Sequence, residues 1–485
     1  MPTRPEPAFG SGASLVLRLA CLLLAAVAGC SLESGPPRNL VLISIDTLRA
    51  DHLGVAGHPY VKTPHIDALA AEAIRFERMV APVPTTLASH TSMMTGSYPH
   101  SHGVPSNGHR VAEGNRMLAE ILKEAGFATS GVIGGYPLGR QTRFDQGFDA
   151  FTRVPDAAAN SEQVSDAALD WLDGRDDGRF FLFVHYWDVH WPYTPPPPYD
   201  RMYRRDPSEI TGLKSDIVEV RRALRRGDAA AAEQSDVLSR LYAGEVSWVD
   251  AQVGRLLAGL HERGLSDASL IVVTSDHGET MGVHAAEYWN HGYTVYDEVV
   301  GVPLLMRLPD ARSGGRVEEW RLSNVDLMPT LLELLGLPLP SGVDGESFAG
   351  PLLGREAWIG RGAVYSQATK PHDDRHEAGR AWKNADKCRG VWEERWKLQH
   401  CPMMRMMELY DLGQDPGEES NLLGPDGGPA KRQVAQRLSR QLAEWTRTAN
   451  PLETIEESSP EVIDQLRALG YVEEPAADPD TGPRP

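Results

Sequence analysis

The sequence predicts an α/β fold: a large, mostly parallel sheet flanked by helices on both faces, with a smaller C-terminal α+β subdomain. Two observations predict it. Long apolar runs alternate with stretches of helical spacing, the pattern of buried parallel strands joined by crossover helices. Beyond about Gly360 this gives way to hairpin-like strands carrying Trp382, Trp392 and Trp396. The chain has 485 residues, 41% hydrophobic and 24% charged, so it is long and apolar enough to bury a large core. With 67 acidic residues against 48 basic, its net charge is −19, which argues against nucleic acid as a partner. Small anionic ligands remain open, because a metal or a local Arg outweighs a distant field.

Residues 1–30 have the layout of a secretory signal. Arg4 and Arg18 precede an apolar run, 19–28, that is too short to span a membrane. The run ends Val27-Ala28-Gly29-Cys30, which resembles a bacterial lipoprotein box with Cys30 as the acylated residue; a plain signal peptide cleaved nearby is the alternative. The expectation is an exported protein, lipid-anchored in a bacterial cell envelope. Ser31, standing where an Asp would favour inner-membrane retention, leans this toward the outer membrane. Residues 31–38, rich in Ser, Gly and Pro, read as a tether.

The main domain spans 39–358. Asn39-Leu-Val-Leu-Ile-Ser-Ile-Asp46 is a continuous apolar run ending in Asp, as a fully buried parallel strand would be. Residues 68–76 read as helix, and 116–125 as an amphipathic helix that Gly126 stops. Residues 127–133 and 180–186 read as strands, 239–263 as a long helix, and 269–275 as a strand ending at Asp276-His277-Gly278. A strand at 301–308 and a helix at 324–336 follow. Residues 200–234 form a charged insertion with Arg221-Arg222 and Arg225-Arg226; it is either a solvated helical face or a cap that touches an anionic substrate. The C-terminal subdomain spans 359–472, and 473–485 is a Pro, Asp and Gly-rich tail with a disordered composition. Cys388 and Cys401 flank a hairpin-sized segment in an oxidising, exported context. A disulfide between them would contribute about 3 kcal/mol in the loop-entropy model.

Three predicted strands end in Asp or His: at Asp46, at His185 to His190, and at Asp276-His277. Parallel sheets place ligands at the carboxyl ends of their strands. Two carboxylates and an imidazole converging there could hold a hard or borderline divalent metal.

Five ordered motifs and two C-terminal signatures then carry a resemblance. Asn39 to Gly54 resembles the opening motif of the sulfatase and alkaline-phosphatase superfamily. Val83-Pro-Thr-Thr-Leu-Ala-Ser-His-Thr-Ser-Met-Met-Thr-Gly-Ser-Tyr-Pro-His-Ser-His-Gly-Val104 resembles its nucleophile turn. Phe183-Val-His-Tyr-Trp-Asp-Val-His-Trp-Pro-Tyr193 resembles its central His motif. Thr274-Ser-Asp-His-Gly-Glu279 and His291-Gly-Tyr-Thr-Val-Tyr-Asp-Glu298 resemble its later metal and substrate motifs. Asp326-Leu-Met-Pro-Thr-Leu-Leu332 and Glu408-Leu-Tyr-Asp-Leu-Gly-Gln-Asp-Pro416 are similar to its C-terminal signatures. The resemblance implies one divalent metal held by Asp46, Thr86, Asp276 and His277, with Thr86 at the nucleophile position.

Departures from the family pattern sharpen this. Sulfatases make a formylglycine from Cys or Ser, and Thr86 cannot yield that aldehyde. His90 stands where an Arg is usual, Thr47 where a second Asp is usual, and His277 where an Asn is usual. The set resembles the Thr-nucleophile phosphoesterase branch and favours zinc or manganese, with calcium or magnesium possible. It implies metal-activated attack by Thr86 on a small anionic ester, with His190, His291 and His90 as candidates for leaving-group protonation or anion stabilisation. His185 and Glu279 are expected to orient ligands, and His100 and His102 to be structural. The expected activity is cleavage of phosphate or phosphonate esters. The alternatives are sulfate-ester hydrolysis without formylglycine, phospho-group transfer to an envelope glycan or lipid, and a binding protein without catalysis. No residue pattern sets the oligomeric state.

Overall fold

In the computed structural model the described residues are 1, 36–155, 160–204, 226–281, 284, 291–311, 314–368, 387–424, 428–447 and 456–468. The signal segment with Cys30, the centre of the charged insertion, Trp382 and the C-terminal tail lie outside them.

The main sheet has eight strands: β1 (Asn39–Ile45), β2 (Ile74–Val80), β3 (Ala128–Ile133), β4 (Ala150–Arg153), β5 (Phe180–Tyr186), β6 (Ser269–Ser275), β7 (Gly301–Arg307) and β8 (Val317–Ser323). Their order is β4-β3-β5-β1-β6-β7-β2-β8. The first five in that order run parallel, β7 runs antiparallel to both neighbours, and β2 and β8 are parallel. Every residue of β1, β5 and β6 is buried, as expected for strands covered on both faces.

Side-chain alternation divides these strands between two cores. Leu40, Leu42, Phe181, Phe183, Leu270 and Val272 face one, with Leu87 and Met93 of α2 (Thr86–Thr95), Leu118 of α3 (Leu118–Glu124) and Leu331 of α6 (Leu327–Leu334). Val41, Ile43, Leu182, Val184, Ile271 and Val273 face the other. There they meet Ile66 of α1 (Pro64–Glu72), Val164 of α4 (Ser161–Gly174) and Val246 of α5 (Ala229–Glu262). Each fully buried aliphatic side chain contributes about 1.5–3 kcal/mol.

Two expected boundaries move. The helix expected at 68–76 is α1, four residues earlier, and its expected end is strand β2. The residues explain this: Ile74 and Phe76 point inward while Arg75 and Glu77 alternate with them, a period of two. Asp250 of α5 also fixes where α1 begins, its carboxylate accepting the His65 and Ile66 N–H groups at 3.2 and 2.8 Å. The long helix starts at Ala229, ten residues before the expected 239, because the Ala-rich run 229–232 has high helix propensity. The end of the charged insertion therefore belongs to α5.

The smaller sheet is antiparallel: β9 (Ala363–Gln367), β10 (Arg389–Glu393), β11 (Trp396–Cys401) and β12 (Met406–Asp411), paired in that order. Leu438, Leu442 and Trp445 of α7 (Pro429–Arg447) pack on Val391, Leu398 and Leu409. Cys388 and Cys401 are disulfide-bonded across β10 and β11. Among the described residues no helix is long and apolar enough to cross a membrane.

Candidate active site

The register of β1 against β5 and β6 assembles the site. Ile45 lies opposite Tyr186 on one side and Ser275 on the other, so the turns after all three strands open at one sheet edge. Asp46 and Asp276 are thereby neighbours. One carboxylate oxygen of each, with a ring nitrogen of His277, forms a group whose atoms lie within 4.8 Å of one another, all fully buried.

Thr86 enters from the other core face as the first residue of α2. Thr85 precedes it in extended conformation, but its hydroxyl donates to the Pro84 carbonyl at 2.7 Å. The exposed helix N–H of Leu87 is satisfied by Asn107 Oδ1 at 2.8 Å. The Thr86 side chain is thus not spent on capping its own helix.

Four buried side-chain atoms without a hydrogen-bond partner lie on Asp46, Thr86, Asp276 and His277. Asp46 Oδ2 accepts from His185 Nε2 at 3.1 Å, while Asp46 Oδ1 has no partner. Asp276 Oδ1 accepts from the Thr47 and His277 N–H groups at 3.2 and 2.9 Å, while Oδ2 has none. His277 Nδ1 donates to the Gly278 carbonyl at 2.9 Å, which turns Nε2 toward Asp276 Oδ2, 3.3 Å away, and leaves Nε2 without a well-aligned hydrogen bond. Thr86 Oγ1 is the fourth: it makes no well-aligned hydrogen bond, though it stands near enough to Asp46 to favour that carboxylate. Buried polar atoms are rarely left unmatched. Two carboxylate oxygens, an imidazole nitrogen and a hydroxyl are the donor set of a divalent cation, and His277 and His185 have the outer hydrogen bonds that orient metal-site imidazoles and carboxylates. The electrostatics agree. Burial, then repulsion from Asp276, pushes the Asp46 carboxyl well above the usual carboxylate range. Both carboxyls can be anionic together in this dry pocket only if positive charge enters beside them.

His291 and His190 stand next to this set. The His291 ring is centred 4.3 Å from that of His277, and His190 lies 5.3 Å beyond His291. His291 Nδ1 meets Glu279 Oε2 at 3.4 Å, and Tyr193 donates to the same oxygen at 3.3 Å. His190 donates from Nδ1 to the Trp191 carbonyl at 2.6 Å and stacks on Trp187 at 3.8 Å.

His90 is placed differently. Its Nδ1 donates to the Thr86 carbonyl at 2.8 Å and its Nε2 accepts from Ser44 Oγ at 2.9 Å. Burial takes its pKa down to about 3, and Phe144, Phe183 and His185 surround its ring. A neutral ring with both nitrogens engaged supports the start of α2 from behind. His102 is buried and bonded to Ser92 Oγ and the Val104 N–H. Sequence reasoning missed Asn107, Ser44, Tyr193 and Tyr242, which act through contacts far apart in the chain and have no local signature.

A family model described as Sulfatase matches residues 38–337, and one described as N-sulphoglucosamine sulphohydrolase, C-terminal, matches 287–448. The chain belongs to the sulfatase family of metal-dependent ester hydrolases. It is 26% identical to an ulvan-active sulfatase from Formosa agariphila, over 84% of this chain and 81% of that protein. It is 27% identical to a multifunctional alkaline phosphatase superfamily protein from Trinickia caryophylli, over 85% of this chain and 96% of that one. The solved structure of a phosphonate monoester hydrolase from Silicibacter pomeroyi superposes with a TM-score of 0.70 at 24% identity, covering 85% of this chain and 96% of the other.

Proposed function

We propose that the protein cleaves small phosphate or phosphonate esters, with Thr86 as nucleophile and one divalent metal held by Asp46, Thr86, Asp276 and His277. The observation that carries this is the cluster of four buried, unmatched donor atoms that includes the Thr86 hydroxyl. When bound, the cation supplies positive charge that lowers the hydroxyl pKa and polarises the ester. Inclusion of an imidazole favours zinc or manganese over calcium or magnesium.

The residues divide the remaining work. The Thr86 hydroxyl gives up its proton to solvent and its oxygen attacks in line, forming an O–P bond as the bond to the leaving alcohol breaks; on release of the product it takes a proton back. His291, next to His277 and held by Glu279, is placed to donate a hydrogen bond to an oxygen of the transferring group. His190, one ring further out, gives its proton to the departing alkoxide. Water then attacks phosphorus, His190 takes its proton, and phosphate or phosphonate leaves as Thr86 is restored. His90 holds the Thr86 carbonyl and with it the helix start.

Threonine favours phosphorus over sulfur. A formylglycine hydrate expels sulfate by collapsing to the aldehyde, and a threonine ester has no second hydroxyl to do so. The sulfatases among the relatives keep sulfate-ester cleavage as the second possibility. A panel of aryl phosphate, phosphodiester, phosphonate and sulfate esters, run on metal-replete protein, decides between them. Phosphorus esters should turn over fastest, and Thr86→Ala should lose about a thousandfold or more. Activity surviving in Thr86→Ala would overturn the nucleophile. Export and a lipid anchor at Cys30 are proposed on the sequence alone, and Cys30→Ala should release the protein from membranes.

A further inference from the structure

Thr47 stands in a conformation its residue type disfavours. Its φ is +52°, in the left-handed region that a β-branched side chain rarely enters. Such strain persists only where the surroundings over-determine it. Here they do. The Thr47 N–H donates to the metal-ligand candidate Asp276 at 3.2 Å. Its carbonyl accepts from Tyr242 Oη of α5 at 2.8 Å, and that same hydroxyl accepts the Arg49 N–H at 3.0 Å. Its own hydroxyl donates to the Val189 carbonyl at 2.5 Å. The residue is fully buried, and it is tied to three separate stretches of chain.

The hydroxyl contact carries the consequence. Val189 directly precedes His190, in a turn closed by the His190 N–H on the Trp187 carbonyl at 2.9 Å. The opposite side of that turn is fixed by Asp188, which accepts from the Asn160 and Ser161 N–H groups and from Trp248 Nε1. Thr47 supplies the bond on the metal side. We infer that Thr47 is a positioning residue: with its backbone it holds Asp276, and with its hydroxyl it sets the turn that presents His190 to the leaving group. This rests on the role proposed for His190.

The test uses the full-length, metal-loaded protein and two phosphonate esters, one with a p-nitrophenyl and one with an alkyl leaving group. Thr47→Val removes the hydroxyl and keeps the shape; Thr47→Gly relieves the backbone strain and so folds if Val does not; Thr47→Ser restores the hydroxyl. Val and Gly should lower kcat for the alkyl ester about 10- to 100-fold and leave the p-nitrophenyl ester within about threefold, because only the poor leaving group needs the acid. Their metal content should equal that of wild type, and Ser should recover most of the loss. Amide exchange across residues 187–191 should rise in Val and Gly and not in Ser. Equal losses on both esters, or loss of metal, would overturn the inference, as would wild-type behaviour. If wild type cleaves neither ester, the proposed function fails, and the exchange comparison still decides whether Thr47 fixes the His190 turn.

Discussion

An unmatched polar atom buried from water costs about 1–3 kcal/mol, and this site concentrates four of them between Asp46, Thr86, Asp276 and His277. That cost is tolerable if a ligand repays it. Chelation should therefore lower the melting temperature, and metal at a thousand times its Kd should restore about 4 kcal/mol. Asp276→Asn sharpens the test by relieving carboxylate repulsion: metal-free, it should melt at or above wild type, and added metal should no longer raise it. Both are read by calorimetry with and without chelator. The candidate metal group was legible because Asp46, Asp276 and His277 each follow an apolar strand, a local signal. The difference between His90 and its partners was not. Its place one turn after Thr86 suggested a catalytic group; in the structure its ring nitrogens meet the Thr86 carbonyl and Ser44, and its Nδ1 lies 3.6 Å from Asp276 Oδ2. Those bonds come from Ser44, distant in sequence, and from the geometry of α2.

At the scale of elements, the His190 turn depends on its attachment to α4. Asp188 accepts the two N–H groups at the start of that helix at 2.8 and 2.7 Å, and Trp248 Nε1 at 2.9 Å. Asp188→Ala should cost about 2–3 kcal/mol in urea denaturation, since it strands buried donors as well as removing a helix cap. Strands β1, β5 and β6 were legible to the residue because burial on both faces requires unbroken apolar runs. Strands β2 and β8 were not. They lie toward one side of the sheet, their outward positions carry Arg and Glu, and that mixture reads as helix or loop until neighbours are known.

At the scale of the whole molecule, buried neutral histidines tie stability to pH. His102 is fully buried, and burial takes its pKa down to about 3. Burial likewise takes His100 and His109 to about 4. An unfolded chain binds these protons near pH 6.5, so stability is intact above that value and is lost as pH falls below it. Each such group adds a slope of up to about 1.4 kcal/mol per pH unit. Melting temperature should drop between pH 6.5 and 4, and His102→Gln should flatten the curve while lowering stability at pH 7. The sequence by itself determined the layered α/β architecture, the family, and the strand ends where charge collects, because periodicity and strand-terminal polar residues are local properties. Only the tertiary structure decided which side chains share the site. Strand register sets Asp46 beside Asp276, and bonds between residues far apart in the chain tie His90 to Ser44 and Thr47 to Val189 and Tyr242. Those outcomes depend on packing distances that no stretch of sequence encodes alone.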